Sequence, residues 1–166
     1  MATKLSAATK VNPRYYNGPK PQTRNVLPTD SVTFKAGQLG YFDSDGLAEV
    51  VGDDGADVDF IFATTRDAAL TSTKAKAHLI DADTEFVFAV VNGTTDALSS
   101  QTMVGGFYSI EVISNVCCLD LDTAAAHSND VVKVTSLMSD NEPKRYTSTD
   151  TPGWVVGHVI RTASQD

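Results

Sequence analysis

The chain has 166 residues, 42% of them hydrophobic, and a formal net charge of −8 at pH 7. This length suits a single domain, and a folded chain of this size buries about 70% of the surface that its unfolded form exposes, so a core can form without disulfides or metal. No stretch approaches the roughly 20 apolar residues of a membrane-spanning helix, so no membrane association is predicted.

Charge is unevenly distributed along the chain. The first 29 residues carry five basic side chains and no acidic one, whereas the remaining 137 carry the other 8 basic and all 21 acidic ones. The net charges of +5 and −13 predict a basic tail on an acidic body. An acidic body disfavours nucleic-acid binding, which needs clustered Lys and Arg.

The N-terminal segment carries four of the six prolines, Pro13, Pro19, Pro21 and Pro28. Proline lacks a backbone donor and biases the preceding residue towards extended conformations. The segment also lacks helical and strand periodicity. We therefore predict an extended N-terminal arm over residues 1–28, followed by one folded domain over residues 29–166.

After Pro28, short apolar runs alternate with turn residues, a pattern typical of all-β proteins. The run 85–91 is the most distinctive, because it is rich in β-branched and aromatic residues. We expect an all-β fold, a small β-barrel or β-sandwich, with helix limited to short turns near 66–70 and 123–127. The predicted strands are 31–35, 38–42, 47–51, 59–64, 75–79, 85–91, 107–112, 116–121, 131–137 and 154–161.

The sequence contains no recognisable catalytic or metal-binding motif. His78, His127 and His158 lie far apart and lack the spacing of metal ligands, and no nucleophile elbow or phosphate-binding loop is present. Cys117 and Cys118 are adjacent, so in a strand they point to opposite faces and are expected to be reduced, with at least one buried. We predict no catalytic residue, no metal site and no cofactor, and hence no enzyme.

Six aspartates lie between positions 43 and 59. Calcium takes six to eight oxygen ligands from such residues, but the EF-hand pattern fails, since its positions 6 and 12 counted from Asp43 are Ala48 and Asp54. We therefore predict that these aspartates form tight turns.

Several segments resemble the capsid decoration (cement) proteins of tailed bacteriophages. Residues 31–39 (SVTFKAGQL), which lead into the turn 43–46 (DSDG), are similar to that family's opening hairpin, and residues 77–86 (AHLIDADTEF) to its central strand-turn-strand. Residues 105–108, 129–134 and 155–160 are similar to its late strands. The resemblance implies a virion structural protein without catalytic residues, made in the host cytoplasm, that binds the outer surface of a phage capsid and stabilises the shell by clamping neighbouring coat subunits.

The expected partner is the major capsid (coat) protein, and the chain is expected to act alone or as a symmetric dimer or trimer. Arginine and tyrosine are enriched at binding hot spots, so the predicted contacts on the arm include these residue types. They are Arg14, Tyr15, Tyr16, Lys20 and Arg24. In the alternative arrangement, Tyr15 and Tyr16 fold back over their own barrel.

Two other functions are consistent with the sequence. One is a ligand- or glycan-binding module of the head surface or a fibre, with a site lined by Trp154 or the tyrosines, or with calcium held by Asp43, Asp45, Asp53 and Asp57. The other is a coat-associated protein whose basic arm contacts packaged DNA. Trp154 begins an apolar strand, however, which favours packing in the core.

Overall fold

The computed structural model describes residues 10–53, 55, 57–67, 73–121 and 130–160 of the chain. In these residues there are twelve strands, one 3₁₀ turn (Gln101–Met103) and one short helix, α1 (Met138–Asn141). The predicted all-β class is therefore confirmed. In chain order the strands are β1 Arg14–Asn17, β2 Thr23–Val26, β3 Leu39–Phe42, β4 Ala48–Val50, β5 Phe60–Phe62, β6 Ala75–Leu79, β7 Glu85–Asn92, β8 Thr95–Asp96, β9 Phe107–Ile113, β10 Val116–Asp120, β11 Val132–Leu137 and β12 Trp154–Val159.

Five strands close into a barrel in the order β7, β10, β9, β11 and β12, because β12 pairs back onto β7. Neighbouring strands are antiparallel except β7 and β10, which run parallel. β1 and β8 also pair with β7. Closure leaves these five strands without a free edge, which stiffens the domain and protects it from unwanted strand pairing.

β7 is the central strand because both of its faces are buried. Phe86 and Phe88 point into the barrel core, whereas Val87 and Ala89 point into a second apolar cluster that includes Trp154. Successive side chains of a strand point to opposite faces, so a strand buried on both sides appears in sequence as a continuous apolar run. This explains why the run 85–91 is the clearest strand signal.

The second sheet has the order β2, β6, β5, β3 and β4, with every pair antiparallel. Its outer strands approach each other through a parallel bridge between Pro28 and Ala48. Its core is aromatic: the rings of Phe34 and Phe62 stack at 3.9 Å between centroids, and the Phe60 ring meets Phe62 edge-on at 5.0 Å.

The second sheet packs against the barrel through Leu39 and Ile61, which belong to the same apolar cluster as Phe88. Gly40 is required beside them, because a Cβ at this position would lie 2.2 Å from the ring of Phe60. Of the two predicted alternatives, barrel or sandwich, the structure has a closed barrel, with a second sheet packed against it.

The strand predicted over 31–35 is wrong, although every later predicted strand overlaps an observed one. These residues form a loop with an isolated bridge between Phe34 and Arg66, and Ser31 has a φ of 73°, which a continuous strand does not accommodate. The apolar signal came from Val32 and Phe34, which pack into the core of the second sheet without strand pairing. Position 161, the end of the last predicted strand, lies outside the described residues.

The predicted arm contributes one strand to each sheet. β1 pairs with β7 through Arg14 and Val87, and β2 pairs with β6 along its whole length. The sequence pattern predicts an extended arm over 1–28 without indicating a strand in it, and β1 and β2 are extended segments of that arm that pair with distant strands; residues 1–9 lie outside the described residues. The partner strands lie far along the chain, so the local sequence gives no indication of the pairing.

Helix is scarce among the described residues, as predicted, and the two helical turns seen there lie at 101–103 and 138–141. Arg66 and Asp67 are not helical, and the remainder of 66–70 and all of 123–127 lie outside the described residues. The 3₁₀ turn and α1 were not predicted, because each spans only one turn of chain. In the part of the chain that the structure describes, no helix is long and apolar enough to span a bilayer.

Candidate functional site

β1 anchors the arm to the barrel through two alternate side chains. The Arg14 guanidinium lies 5.9 Å from the centre of the Trp154 ring and donates a hydrogen bond to the hydroxyl of Tyr146. Tyr16, two residues later and therefore on the same face of the strand, packs against the same cluster. A cation over an aromatic face contributes about 0.5–2 kcal/mol, so these contacts hold the arm on its own barrel.

The segment between β1 and β2 is fixed to the turn that precedes β7. The hydroxyl of Thr84, which is fully buried, donates a hydrogen bond of 2.8 Å to the carbonyl oxygen of Pro19. Gly18 has a φ of +90°, and a Cβ there would lie 2.4 Å from the carbonyl oxygen of Asp83. Only glycine allows the arm to pass this close to the turn.

The other predicted contact residues face outward. The side chain of Tyr15 is 42% exposed, and its hydroxyl donates a hydrogen bond of 2.7 Å to the carbonyl oxygen of Gly18. Lys20 and Arg24 are exposed as well. These three residues, Tyr15, Lys20 and Arg24, are called the outer arm face below.

The five predicted contact residues therefore divide into two groups. Arg14 and Tyr16 dock the arm on its own domain, whereas Tyr15, Lys20 and Arg24 remain available to a partner. The fold-back alternative thus describes Tyr16 but not the exposed Tyr15. The assignment of all five residues as capsid contacts stays a prediction.

A groove of about 460 Å³ lies between the arm and the second sheet. Tyr15 and Lys20 contribute to its arm side, and Ile61 and Phe86 to its apolar floor. His78, which is opposite Ile61 on β5, lines it as well. A volume of this size falls within the range of sites that bind small molecules or side chains.

The register of the second sheet places a row of side chains along this groove. Ile61 on β5 is opposite His78 on β6, which is opposite Thr23 on β2. The Thr23 hydroxyl lies 2.9 Å from Nδ1 of His78, which fixes the orientation of the imidazole. In the next row along the strands, Lys76 is opposite Asn25.

The cations around the groove lack ion-pair partners among the described residues. The ion pairs seen there, such as Lys10 with Asp96 and Lys35 with Asp67, include neither Lys20, which lines the groove, nor Lys76, which shares a face of β6 with His78. No carboxylate side chain is among the described residues that line the groove. The groove is thus a locally basic region on an otherwise acidic domain.

The sequence pattern indicated only that His78 lacks the spacing of a metal ligand, and it did not indicate the groove. The hydrogen bond between His78 and Thr23 is structural, but the imidazole also lines the groove. The alternation of Lys74, Lys76 and His78, which places all three on one face of a strand, was the available signal. The fact that the arm crosses this face depends on tertiary pairing.

The tight turn predicted at 43–46 is present, whereas positions 54 and 56 lie outside the described residues, and Asp59 lies outside any turn and accepts a hydrogen bond from the backbone N–H of Phe42. One carboxylate oxygen of Asp43 accepts hydrogen bonds from the backbone N–H groups of Asp45 at 2.9 Å and Leu47 at 2.8 Å. Asp53 accepts one from the backbone N–H of Val112 at 2.7 Å, which links this segment to β9. Among the described residues, no group of three or more His, Cys, Asp or Glu side chains is arranged to hold a metal ion.

Trp154 is 6% exposed and packs beneath the arm, which confirms the prediction that it belongs to a core. Trp154 does not line the groove, so it cannot be the sugar-stacking residue of a glycan site there. Of the residues that the glycan-binding hypothesis relied on, Tyr15 is the aromatic side chain that does line it.

Cys117 and Cys118 are free thiols, and both are buried, as predicted. Burial raises the pKa of Cys117 to about 11, and it raises the pKa of Cys118 to about 12, where the neighbouring Cys117 adds to the effect. The folded-state values lie above the ordinary value of 9.0. The stabilisation that this shift represents is therefore complete below pH 9 and is lost as the pH rises from 9 towards 11–12.

We expect both thiols to react with a thiol reagent at pH 8 about a hundredfold more slowly in the native protein than in urea, because the thiolate is the nucleophile and both sulfurs are buried. Labelling followed by mass spectrometry measures this. An exposed cysteine introduced by Ser44→Cys should react at the ordinary rate. Rapid native labelling of either natural cysteine would contradict its burial.

No family model matches the chain, and no curated protein or solved structure matches it either.

Proposed function

We propose that the protein is a structural component of a phage virion that binds the outer surface of the capsid and stabilises the shell by clamping neighbouring coat subunits. The observation that carries this proposal is the division of the arm into a docked face and an outer face. Arg14 and Tyr16 hold β1, Thr84 holds the connection at Pro19, and pairing with β6 holds β2, so the backbone that carries Tyr15, Lys20 and Arg24 is fixed.

A preorganised surface favours binding, because little conformational entropy remains to be lost when the partner docks. Tyrosine and arginine are also the residue types that most often dominate binding energy. A rigid barrel that contacts two coat subunits adds contact area, and these contacts must be broken before the two subunits can separate. Packaged DNA presses the shell outward, so this added contact resists rupture.

A symmetric dimer or trimer of the chain would present several outer arm faces at once. Linked binding sites increase overall affinity without any new type of contact, provided that the geometry lets them engage together. The acidic body, with a net charge of −13 after residue 29, keeps bound copies soluble and repels free DNA.

The test is co-sedimentation of the purified chain with bare expanded capsids built from the coat protein of the same phage. The wild-type chain should pellet with the capsids and raise the temperature at which they rupture. The triple variant Tyr15→Ala, Lys20→Ala, Arg24→Ala should lose about tenfold or more in affinity, which corresponds to about 1.4 kcal/mol or more.

The matched control is the double variant Phe107→Ala, Lys144→Ala, which removes an exposed aromatic ring and an exposed cation that do not belong to the arm. It should bind like the wild type, and the melting temperature of each free variant confirms folding. Absence of co-sedimentation by the wild-type chain would overturn the proposed function. Unchanged binding by the triple variant would overturn the role of the outer arm face.

A further inference from the structure

We propose that the groove between the arm and the second sheet binds an extended peptide segment of the partner in which acidic side chains alternate with apolar ones. The inference rests on the proposed function for the source of that segment, a surface loop of the coat protein. Its chemistry follows from the residues around the groove and can be tested with the free protein.

The floor of the groove selects apolar side chains. Ile61 and Phe86 belong to the main apolar cluster, and Pro21 lines the arm side. The ring of Tyr15 lies at the rim, where 42% of the side chain is exposed. Ile61 and Phe86 are themselves only 6% and 1% exposed, so an occupant removes apolar area from water mainly at the Tyr15 ring, at about 25 cal/mol for each Å².

The rim of the groove selects negative charge. Lys20 lines the groove, and Lys76 is exposed on the same face of β6 as His78. Neither has an ion-pair partner among the described residues. A carboxylate placed here can pair with these cations, because no carboxylate side chain is among the described residues that line the groove.

The shape of the site favours an extended chain over a compact ligand. The row Ile61, His78 and Thr23 crosses three strands, and neighbouring strands lie about 4.8 Å apart, so the row extends over about 10 Å. The next row, Lys76 and Asn25, lies two residues along the same strands. An extended peptide laid along these rows turns one set of alternate side chains towards the apolar floor and the other set towards the rim, so apolar and acidic residues that alternate in sequence meet the two different surfaces.

Duplex DNA fits the site less well. Phosphate binding scales with the number of cations that neutralise it, and here Lys20 and Lys76 lie on a domain whose remaining charge is strongly negative. Nucleic acid also offers no apolar side chain for the floor. The observations therefore favour the peptide, and DNA becomes an outcome of the test.

The experiment measures fluorescence anisotropy of two labelled peptides added to the full chain. One has the sequence Gly-Leu-Glu-Val-Asp-Leu-Gly, and the other replaces its Glu and Asp with Gln and Asn. The acidic peptide should bind about tenfold more tightly than the neutral one, because the two differ only in charge. A short DNA duplex with the same label serves as the competing class of ligand.

Two variants locate the site. Lys20→Glu should weaken binding of the acidic peptide about tenfold, whereas the matched change Lys144→Glu, at an exposed position outside the groove, should not. Ala36→Trp places a large ring at an exposed position that lines the groove and should block both peptides while leaving the core unchanged.

Equal affinity for the two peptides, equal losses in the two lysine variants, or tight binding of the duplex alone would overturn the groove proposal. Capsid co-sedimentation is measured separately with the same preparations. If peptides fail to bind while capsids do, the groove proposal is wrong and the proposed function stands. If peptides bind while capsids do not, the groove is a peptide site and the proposed function is wrong.

Discussion

Replacing Arg14 and Tyr16 together with alanine should lower the free energy of unfolding by about 2–4 kcal/mol. Arg14 would lose its contact with the Trp154 ring and its hydrogen bond to Tyr146, and a hydrogen bond to a charged group contributes about 1.5–3 kcal/mol. Tyr16 would no longer cover the apolar cluster beside β7. Urea denaturation, followed by circular dichroism, measures the change.

Trp154 is the only tryptophan, so its fluorescence reports directly on the docked arm. In the double variant its emission should shift towards longer wavelength, because water reaches the ring that the arm covered. Tyr15→Ala is the matched control, since this neighbouring side chain points outward. A double variant with unchanged stability and unchanged emission would show that the arm is not anchored at Trp154.

This result bears on the proposed function as well as on the fold. If docking presents the outer arm face in a fixed arrangement, the double variant should also bind capsids more weakly, although it retains Tyr15, Lys20 and Arg24. Adding the arm as a separate peptide to a chain that lacks it would restore binding only in part, because the entropy of fixing the arm must then be lost on binding.

Phe88→Ala should be the most destabilising single substitution considered, at about 3–5 kcal/mol. The Phe88 side chain is fully buried in the barrel cluster, and it belongs to β7, which pairs with β12 as well as with β1 and β10. Truncation removes the transfer free energy of the ring and leaves a cavity that the closed barrel cannot collapse to fill. For a chain of this size, the melting temperature should fall by about 6–20 °C.

The matched control is Phe107→Ala, which removes the same ring from a position that is 47% exposed. It should cost less than about 1 kcal/mol, mainly through the loss of the contact between the Phe107 ring and the Lys133 ammonium, 5.6 Å away. Calorimetry on the two variants measures the difference. Similar losses in both would contradict the placement of Phe88 at the centre of the barrel.

The sequence by itself determined the features that depend on neighbouring residues. Short apolar runs bounded by turn residues identified the strands from β3 onward apart from the short β8, the Asp43 carboxylate forms the turn that its Asp-rich context predicts, and the adjacent cysteines are free and buried. Each of these follows from local physics: the pleat of a strand, the hydrogen bonds of an aspartate turn, and the opposite directions of adjacent strand side chains.

Only the tertiary structure decided where the arm lies and what it forms there. Nothing near Arg14 indicates that its partners are Val87, Tyr146 and Trp154, because strand pairing and aromatic contacts join residues that are distant along the chain. The same holds for barrel closure through β12 and β7, and for the groove that arises where the arm crosses the second sheet. A local pattern shows which residues can form a strand, but the choice of neighbour depends on the free energy of packing the whole chain.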